Sequence, residues 1–235
     1  MKIKYLQRTT LVDYPGQIAC TIFLFGCNFR CSFCYNPELV LEEKTPDIDL
    51  NEIFNFLEKR KGQLEGVCIT GGEPLVSLEE NFLKKIKSFG YKIKIDTNGS
   101  FPEKLKFFIN NSLVDYVSMD VKGKKEDYRK ITNVNADLNK IEESMKIISS
   151  LNDYEFRTTI LKKFHEEKSV IEEIKWINSV VGKKIKRFCL QGFRNEGKYI
   201  DKKFKEEKNT EENYLKNIRK ELEKENLCEE ILIRV

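Results

Sequence analysis

Short runs of β-forming residues recur along most of the chain, and a helical stripe of apolar residues follows nearly every one. The runs cover residues 18–25, 66–70, 91–96, 115–121, 155–161 and 185–191. They are rich in Ile, Val, Phe and Tyr, and several are apolar nearly throughout, as strands covered on both faces are. Between them, Leu50, Ile53, Phe54 and Leu57 fall at helical spacing behind an Asp49-x-x-Glu52 start signal. Leu78, Phe82, Ile86 and Phe89 make a second stripe, and Ser77-x-x-Glu80 before it reads as a capping box. Leu138, Ile141, Met145 and Ile148 make a third, and Val170, Ile174, Ile177 and Val181 a fourth. A weaker helix is expected to start near Pro102. Strand and helix alternating in this way predict a parallel sheet built from βα units.

About six such units fit, fewer than the eight of a closed barrel. The expected fold is α/β: a partial (β/α)6 TIM-like barrel with parallel strands and a short C-terminal α/β extension. The tail from about residue 199 is dominated by Lys and Glu. It carries Tyr214, Leu215, Ile218 and Leu222 at helical spacing and then a short ILIRV strand. We read residues 1–235 as one domain, with a core at about 16–198 and an extension at about 199–235. Hydrophobic residues make up 40% and charged residues 34%, which places the chain among soluble globular proteins. A net charge of +4 gives no argument for nucleic acid. No apolar run approaches the roughly 20 residues of a membrane span. The N-terminus lacks a secretory stretch, so a cytoplasmic protein without a membrane partner is expected.

In such a compartment clustered thiols read as metal ligands or catalytic groups. Of seven cysteines, Cys27, Cys31 and Cys34 fall within eight residues, directly after the first run. Cys20, Cys68 and Cys189 sit in apolar strand-like runs and are expected to be small buried hydrophobes; Cys228 lies apart, near the C-terminus. Three thiolates spaced C-x3-C-x2-C can hold three corners of an iron–sulfur cube and leave the fourth iron without a protein ligand. Gly26 allows a tight exit from the strand. Two other readings stay open on spacing alone. A structural zinc site would recruit a distant fourth ligand, and a redox disulfide between Cys31 and Cys34 would leave Cys27 unexplained.

Parallel α/β folds gather their sites at the carboxyl ends of strands, and more polar motifs stand there. Thr70-Gly-Gly-Glu-Pro74 follows the second run, Asp96-Thr-Asn-Gly99 the third and Met119-Asp-Val-Lys-Gly123 the fourth. An acid and a lysine on adjacent strand ends suit the ammonium and carboxylate of an amino-acid-like ligand, and Arg157 in the fifth run is placed to neutralise that carboxylate. The sixth run ends at Gln191. His165, in the loop after the fifth run and followed by acidic residues, reads as a solvated side chain.

C-x3-C-x-(aromatic)-C, with Phe33 at the aromatic position, resembles the radical S-adenosylmethionine superfamily. The motif containing Gly72 and Glu73 is similar to the one that receives the amino group of S-adenosylmethionine there. The motifs at Asp96, Asn98, Asp120 and Lys122 resemble those of glycyl-radical-enzyme activating proteins. In some of these the residues matching Asp96, Thr97, Met119 and Asp120 enclose a monovalent cation. Gln191 stands where the formate-lyase activating branch typically has a histidine. Leu11-Val-Asp-Tyr-Pro-Gly16 and Tyr35-Asn-Pro-Glu-Leu39 resemble the activators of anaerobic ribonucleoside-triphosphate reductase, although many relatives carry His in place of Tyr35.

The resemblance implies one [4Fe-4S] cluster on Cys27, Cys31 and Cys34, with no catalytic side chain beyond it. It further implies S-adenosylmethionine held by Phe33, Tyr35, Gly72, Glu73, Asp96, Asn98, Asp120, Lys122, Arg157 and Gln191. Its partners would be a glycyl radical enzyme and a flavodoxin or ferredoxin-type electron donor, the latter met by Lys122, Lys124 and Lys125. The alternatives are a radical enzyme acting on a small molecule, such as a modified base, and a non-catalytic iron–sulfur or zinc protein.

Overall fold

The computed structural model describes residues 1–41, 45–195 and 198–235. Two strands open the chain, β1 (Ile3–Thr10) and β2 (Ala19–Leu24), followed by α1 (Leu50–Lys59), β3 (Gly66–Gly71), α2 (Glu80–Ser88) and β4 (Lys92–Thr97). Then come α3 (Pro102–Asn110), β5 (Tyr116–Asp120), α4 (Tyr128–Thr132), α5 (Leu138–Ile148) and β6 (Tyr154–Ile160). The chain ends with α6 (Glu167–Val181), β7 (Ile185–Gly192), α7 (Glu212–Lys224) and β8 (Cys228–Arg234). All eight strands belong to one sheet, in the order β1-β2-β3-β4-β5-β6-β7-β8.

The pairs β2–β3, β3–β4, β6–β7 and β7–β8 are parallel, and β1 lies antiparallel to β2. The sheet is therefore mostly parallel and not closed, as the count of βα units implies. The six runs became β2 to β7 within a residue or two, and the ILIRV segment became β8 beside β7. The periodicity did not reveal β1. Only Ile3, Lys4 and Thr10 of IKYLQRTT are buried, so this edge strand shows no alternation of apolar and polar residues.

The chain divides into two compact units. The first comprises residues 1–28, 36–97 and 103–117, and the second residues 29–35, 98–102 and 118–235. In the first, Ile22 and Leu24 of β2, Ile69 of β3 and Ile93 and Ile95 of β4 are fully buried, as are Ile53 and Leu57 of α1 and Leu83 and Ile86 of α2. Asp49 caps α1 by accepting from the amide of Asn51 at 2.8 Å. The capping box at Ser77 does not form. Pro74–Val76 makes a 3-10 turn that ends on Ser77, so α2 starts at Glu80 behind Glu79 without a side-chain cap.

In the second unit, α5, α6 and α7 bury Ile141, Met145 and Ile148, then Val170, Ile174 and Ile177, then Leu215, Ile218 and Leu222. The interior is not wholly apolar. Glu155 of β6 is fully buried, accepts from Ser118 Oγ at 2.7 Å, and takes both arms of the Arg234 guanidinium at 2.8 and 2.7 Å. A smaller cluster joins Phe33, Ile131, Leu161, Phe193, Tyr199 and Phe204. All four scattered cysteines are buried, Cys228 among them. Among the described residues, no helix is long and apolar enough to cross a membrane.

Removing one partner of a buried ion pair strands the other charge in low dielectric. Arg234→Met is expected to lower the unfolding free energy by about 3 kcal/mol, read from urea midpoints. Combining it with Glu155→Leu should recover most of the loss.

Candidate functional site

The cysteine loop is built around two phenylalanines. Phe29 and Phe33 are buried while Cys27, Cys31 and Cys34 stay half-buried. The Phe33 ring lies 5.9 Å from that of Phe164 and 6.2 Å from that of Phe204. The aromatic position of the motif therefore anchors the loop in the core of the second unit. Backbone bonds complete the anchorage. Arg30 N donates to Thr132 O at 3.0 Å, Cys34 N to Cys31 O at 3.0 Å, Asp201 N to Ser32 O at 3.0 Å and Ile200 N to Cys34 O at 3.3 Å. The extension thus lies directly on the loop. Burial pushes the Cys31 thiol up to about 11, against the pull of the Lys122 ammonium. Cys27 belongs to the first unit, and no disulfide joins any of the seven cysteines.

In the first unit, a β-carbon on Gly72 would overlap the carbonyl oxygen of Gly26 and stand 3.0 Å from Leu39 O. Gly26 N donates to Leu39 O at 2.8 Å, and Glu73 N donates to Gly26 O at 2.7 Å. The exit of β2 and the Gly-Gly-Glu-Pro turn are one hydrogen-bonded piece. Glu73 is fully buried, and its Oε1 accepts from Leu75 N at 3.1 Å and from Thr97 Oγ1 at 2.9 Å. Its carboxylate thereby ties the turn to the end of β4. Asp96 is ion-paired with Lys94, which sequence reasoning passed over. The signal was there: Lys94 and Asp96 are two apart in a strand and share a face.

In the second unit, Asn98 Oδ1 accepts from Ser100 N at 3.0 Å and caps a turn. Asp120, at the end of β5, meets Arg157 Nε at 2.6 Å and Lys122 Nζ at 3.3 Å. Burial disfavours charge on both Asp120 and Lys122. The two cations outweigh it at Asp120, whose carboxyl stays far below the usual range, and Asp120 outweighs it at Lys122, whose ammonium is held above the lysine value. Tyr35 is exposed, within electrostatic range of Asp120, Lys122 and Arg157. Gln191 is half-buried in β7, in register with Thr159 of β6 and with Arg234 of β8. Sequence reasoning also passed over Arg234, because nothing within the short ILIRV strand points to its partner Glu155, 79 residues earlier.

Lys124 and Lys125 each hold a carboxylate at 2.7 Å at the surface, Glu172 and Glu142 respectively. One expectation is corrected here. His165 is buried, not solvated. Phe164 N and His165 N both donate to Leu161 O, and this turn folds the imidazole back beneath the end of β5. Behind the same strand end, Thr158 Oγ1 bonds Val121 O at 2.9 Å and also the carboxyl of buried Glu173 in α6. Burial pushes Glu173 from its ordinary 4.5 up to about 8.

The sequence pattern of the Radical SAM superfamily matches residues 21–175. The chain belongs to the radical S-adenosylmethionine superfamily. A Methanocaldococcus jannaschii protein assigned as a glycyl-radical enzyme activating enzyme is 31% identical over 216 residues, covering 89% of this chain and 86% of its own. The 7-carboxy-7-deazaguanine synthase of Aquifex aeolicus is 30% identical over 164 residues, 69% of this chain and 67% of its own. The crystal structure of QueE from Escherichia coli superposes with a TM-score of 0.60 at 12% identity, covering 100% of this chain and 93% of that one. This last likeness shows the fold.

The superfamily implies a [4Fe-4S] cluster and S-adenosylmethionine. Among the described residues, no three His, Cys, Asp or Glu side chains stand together as a metal cage. The donor chemistry nonetheless fits: three thiols outside any disulfide, on a loop whose phenylalanines turn inward.

Gly72→Ala should force the β2 exit away from the turn, lowering stability by about 2 kcal/mol and the iron bound per chain after reconstitution. Urea midpoints and iron analysis read the two effects. For Glu173, the folded-state value is raised, so its contribution to stability is fullest below 4.5 and is lost as pH rises towards about 8. Glu173→Gln should therefore gain on the wild type between pH 5 and 8, measured as the difference in urea midpoints.

Proposed function

We propose that this chain forms a glycyl radical on a partner enzyme, an anaerobic ribonucleoside-triphosphate reductase, at the expense of S-adenosylmethionine. The observation that supports glycyl-radical activation is the likeness to the M. jannaschii protein assigned as an activating enzyme, over 89% of this chain and 86% of its own; the reductase as target rests on the resemblance of residues 11–16 and 35–39. Cys27, Cys31 and Cys34 are the ligands of the cluster, by the spacing of the motif. When bound, the cluster supplies the electron that breaks the sulfonium of S-adenosylmethionine into methionine and a 5′-deoxyadenosyl radical.

The remaining work falls to the chain. Lys122 and Arg157 carry the positive charge that suits the ligand's carboxylate, while Asp120 and Asp96 suit its ammonium. Gly72 leaves room for the Gly26 carbonyl, and the buried Glu73 carboxylate holds the turn whose backbone would meet the ligand. Phe33 fixes the loop from behind; Tyr35, Asn98 and Gln191 supply further polar contacts. A monovalent cation would take the oxygens around Asp96, Thr97, Met119 and Asp120. Preorganised charges of this kind orient a ligand without reorganising during the reaction. The electron donor is a flavodoxin or ferredoxin-type protein, and the setting is a single-domain protein in the cytoplasm.

The likeness to 7-carboxy-7-deazaguanine synthase favours a second reading, a radical reaction on a small molecule. Anaerobic reconstitution with iron and sulfide, reduction and product analysis come first. The wild type should form 5′-deoxyadenosine and Cys31→Ala none; equal yields from both would end the radical reading. Mixing with the candidate reductase should then give the EPR doublet of a glycyl radical. Active cleavage with a radical-free reductase would favour the small-molecule reading.

A further inference from the structure

His165 is the one histidine of the sequence, and the proposed chemistry makes no use of it. It is nevertheless buried between two contacts of opposite kind. The amide of Leu161 donates to Nδ1 at 3.1 Å, while Nε2 lies 3.0 Å from the carbonyl oxygen of Lys122. An amide can only donate and a carbonyl can only accept. Nδ1 is therefore the bare nitrogen, and Nε2 carries the hydrogen. A cationic ring would have no lone pair for Leu161, and burial pushes the imidazole pKa down, with Asp127 pulling upward and Lys122 downward.

The ring's own mounting is firm. His165 N donates to Leu161 O at 2.9 Å, and Tyr214 Oη of α7 donates to His165 O at 2.8 Å. Gly123 shows what the contact requires. Its φ is +144°, and a β-carbon there would stand 2.7 Å from Ile131 Cδ1 and 3.4 Å from His165 Nε2. Glycine supplies both the backbone conformation and the space beside the imidazole. One peptide earlier, Val121 N donates to Arg157 O at 2.9 Å and Val121 O accepts from Thr158 Oγ1. The segment carrying Asp120 and Lys122 is thus held from behind by side chains that touch no ligand.

We propose that His165 is a positioning residue for the ligand-binding charges. By holding the carbonyl of Lys122, its Nε2–H sets the direction in which Lys122 presents its ammonium, beside Asp120, to the carboxylate of S-adenosylmethionine. This rests on the reading that S-adenosylmethionine binds at the end of β5. Supporting groups of this sort fix the group that touches the ligand.

Three variants separate positioning from mere packing. His165→Leu keeps bulk without a donor, and His165→Asn places its amide near Nδ1 with no donor at Nε2. His165→Gln returns a donor close to the Nε2 position. On cluster-loaded protein, equilibrium dialysis should find the dissociation constant for S-adenosylmethionine raised about tenfold in the Leu and Asn variants and largely restored in Gln. Iron content should match the wild type in all three. On untagged, cluster-free protein, nitrogen-15 NMR of the single histidine should show the Nε2–H tautomer and no titration between pH 6 and 8. Wild-type affinity in the Leu or Asn variant, an Nδ1–H tautomer, or a freely titrating ring would each overturn the proposal. A wild type that binds no S-adenosylmethionine overturns the proposed function instead, while the tautomer still decides how His165 is mounted.

Discussion

One carboxylate set between two cations governs the chemistry-bearing end of the second unit. Asp120 holds Arg157 at 2.6 Å and Lys122 at 3.3 Å, and the three charges come from the end of one strand, the loop beyond it and the next strand in order. A half-buried ion triad is stable only where every member keeps its partners, because desolvation opposes each charge separately. The surrounding structure answers that demand. Thr158, His165 and the carbonyl of Arg157 fix the peptides on either side, and Glu155 with Arg234 forms a second buried ion pair in the same unit. Charge below and hydrogen bonds behind leave the triad little freedom to rearrange, which is what a site for a zwitterionic ligand needs.

The first unit solves its part differently. There the backbone does most of the work, through the shared hydrogen bonds of Gly26, Leu39, Gly72 and Glu73. Glu73 contributes a fully buried carboxylate that accepts from the Leu75 amide and the Thr97 hydroxyl. A carboxylate in that setting serves as a rigid double acceptor. The turn's shape rests on close approach between backbones, which no side chain larger than hydrogen permits at Gly72.

How much of this was readable beforehand depended on whether a residue acts locally. The strand runs and helical stripes act through their own periodicity, so β2 to β7 and the larger helices appeared within a residue or two. The cysteine spacing and the strand-end motifs are likewise local, and they led to the superfamily that residues 21–175 match. What escaped depended on partners distant in sequence. Arg234 looks like an ordinary surface cation until folding places Glu155 against it. His165 sits among Lys, Glu and Phe, a context that suggests solvent, and only a five-residue turn carries it inward. Ser77 failed as a cap because Pro74 starts a 3-10 turn of its own. The sheet edge β1 left no pattern because most of its side chains face water.

The clasp of the extension on the cysteine loop bears on biogenesis. Ser32 and Cys34 are made early on the ribosome, but the amides that bind their carbonyls belong to Asp201 and Ile200, and Phe204 finishes the pocket for Phe33. Translation proceeds from the N-terminus, and segments fold as their partners emerge. The nascent loop therefore stays open until residues 200–204 have left the exit tunnel. A product cut short before residue 200 would expose its thiols without the wall that shelters them.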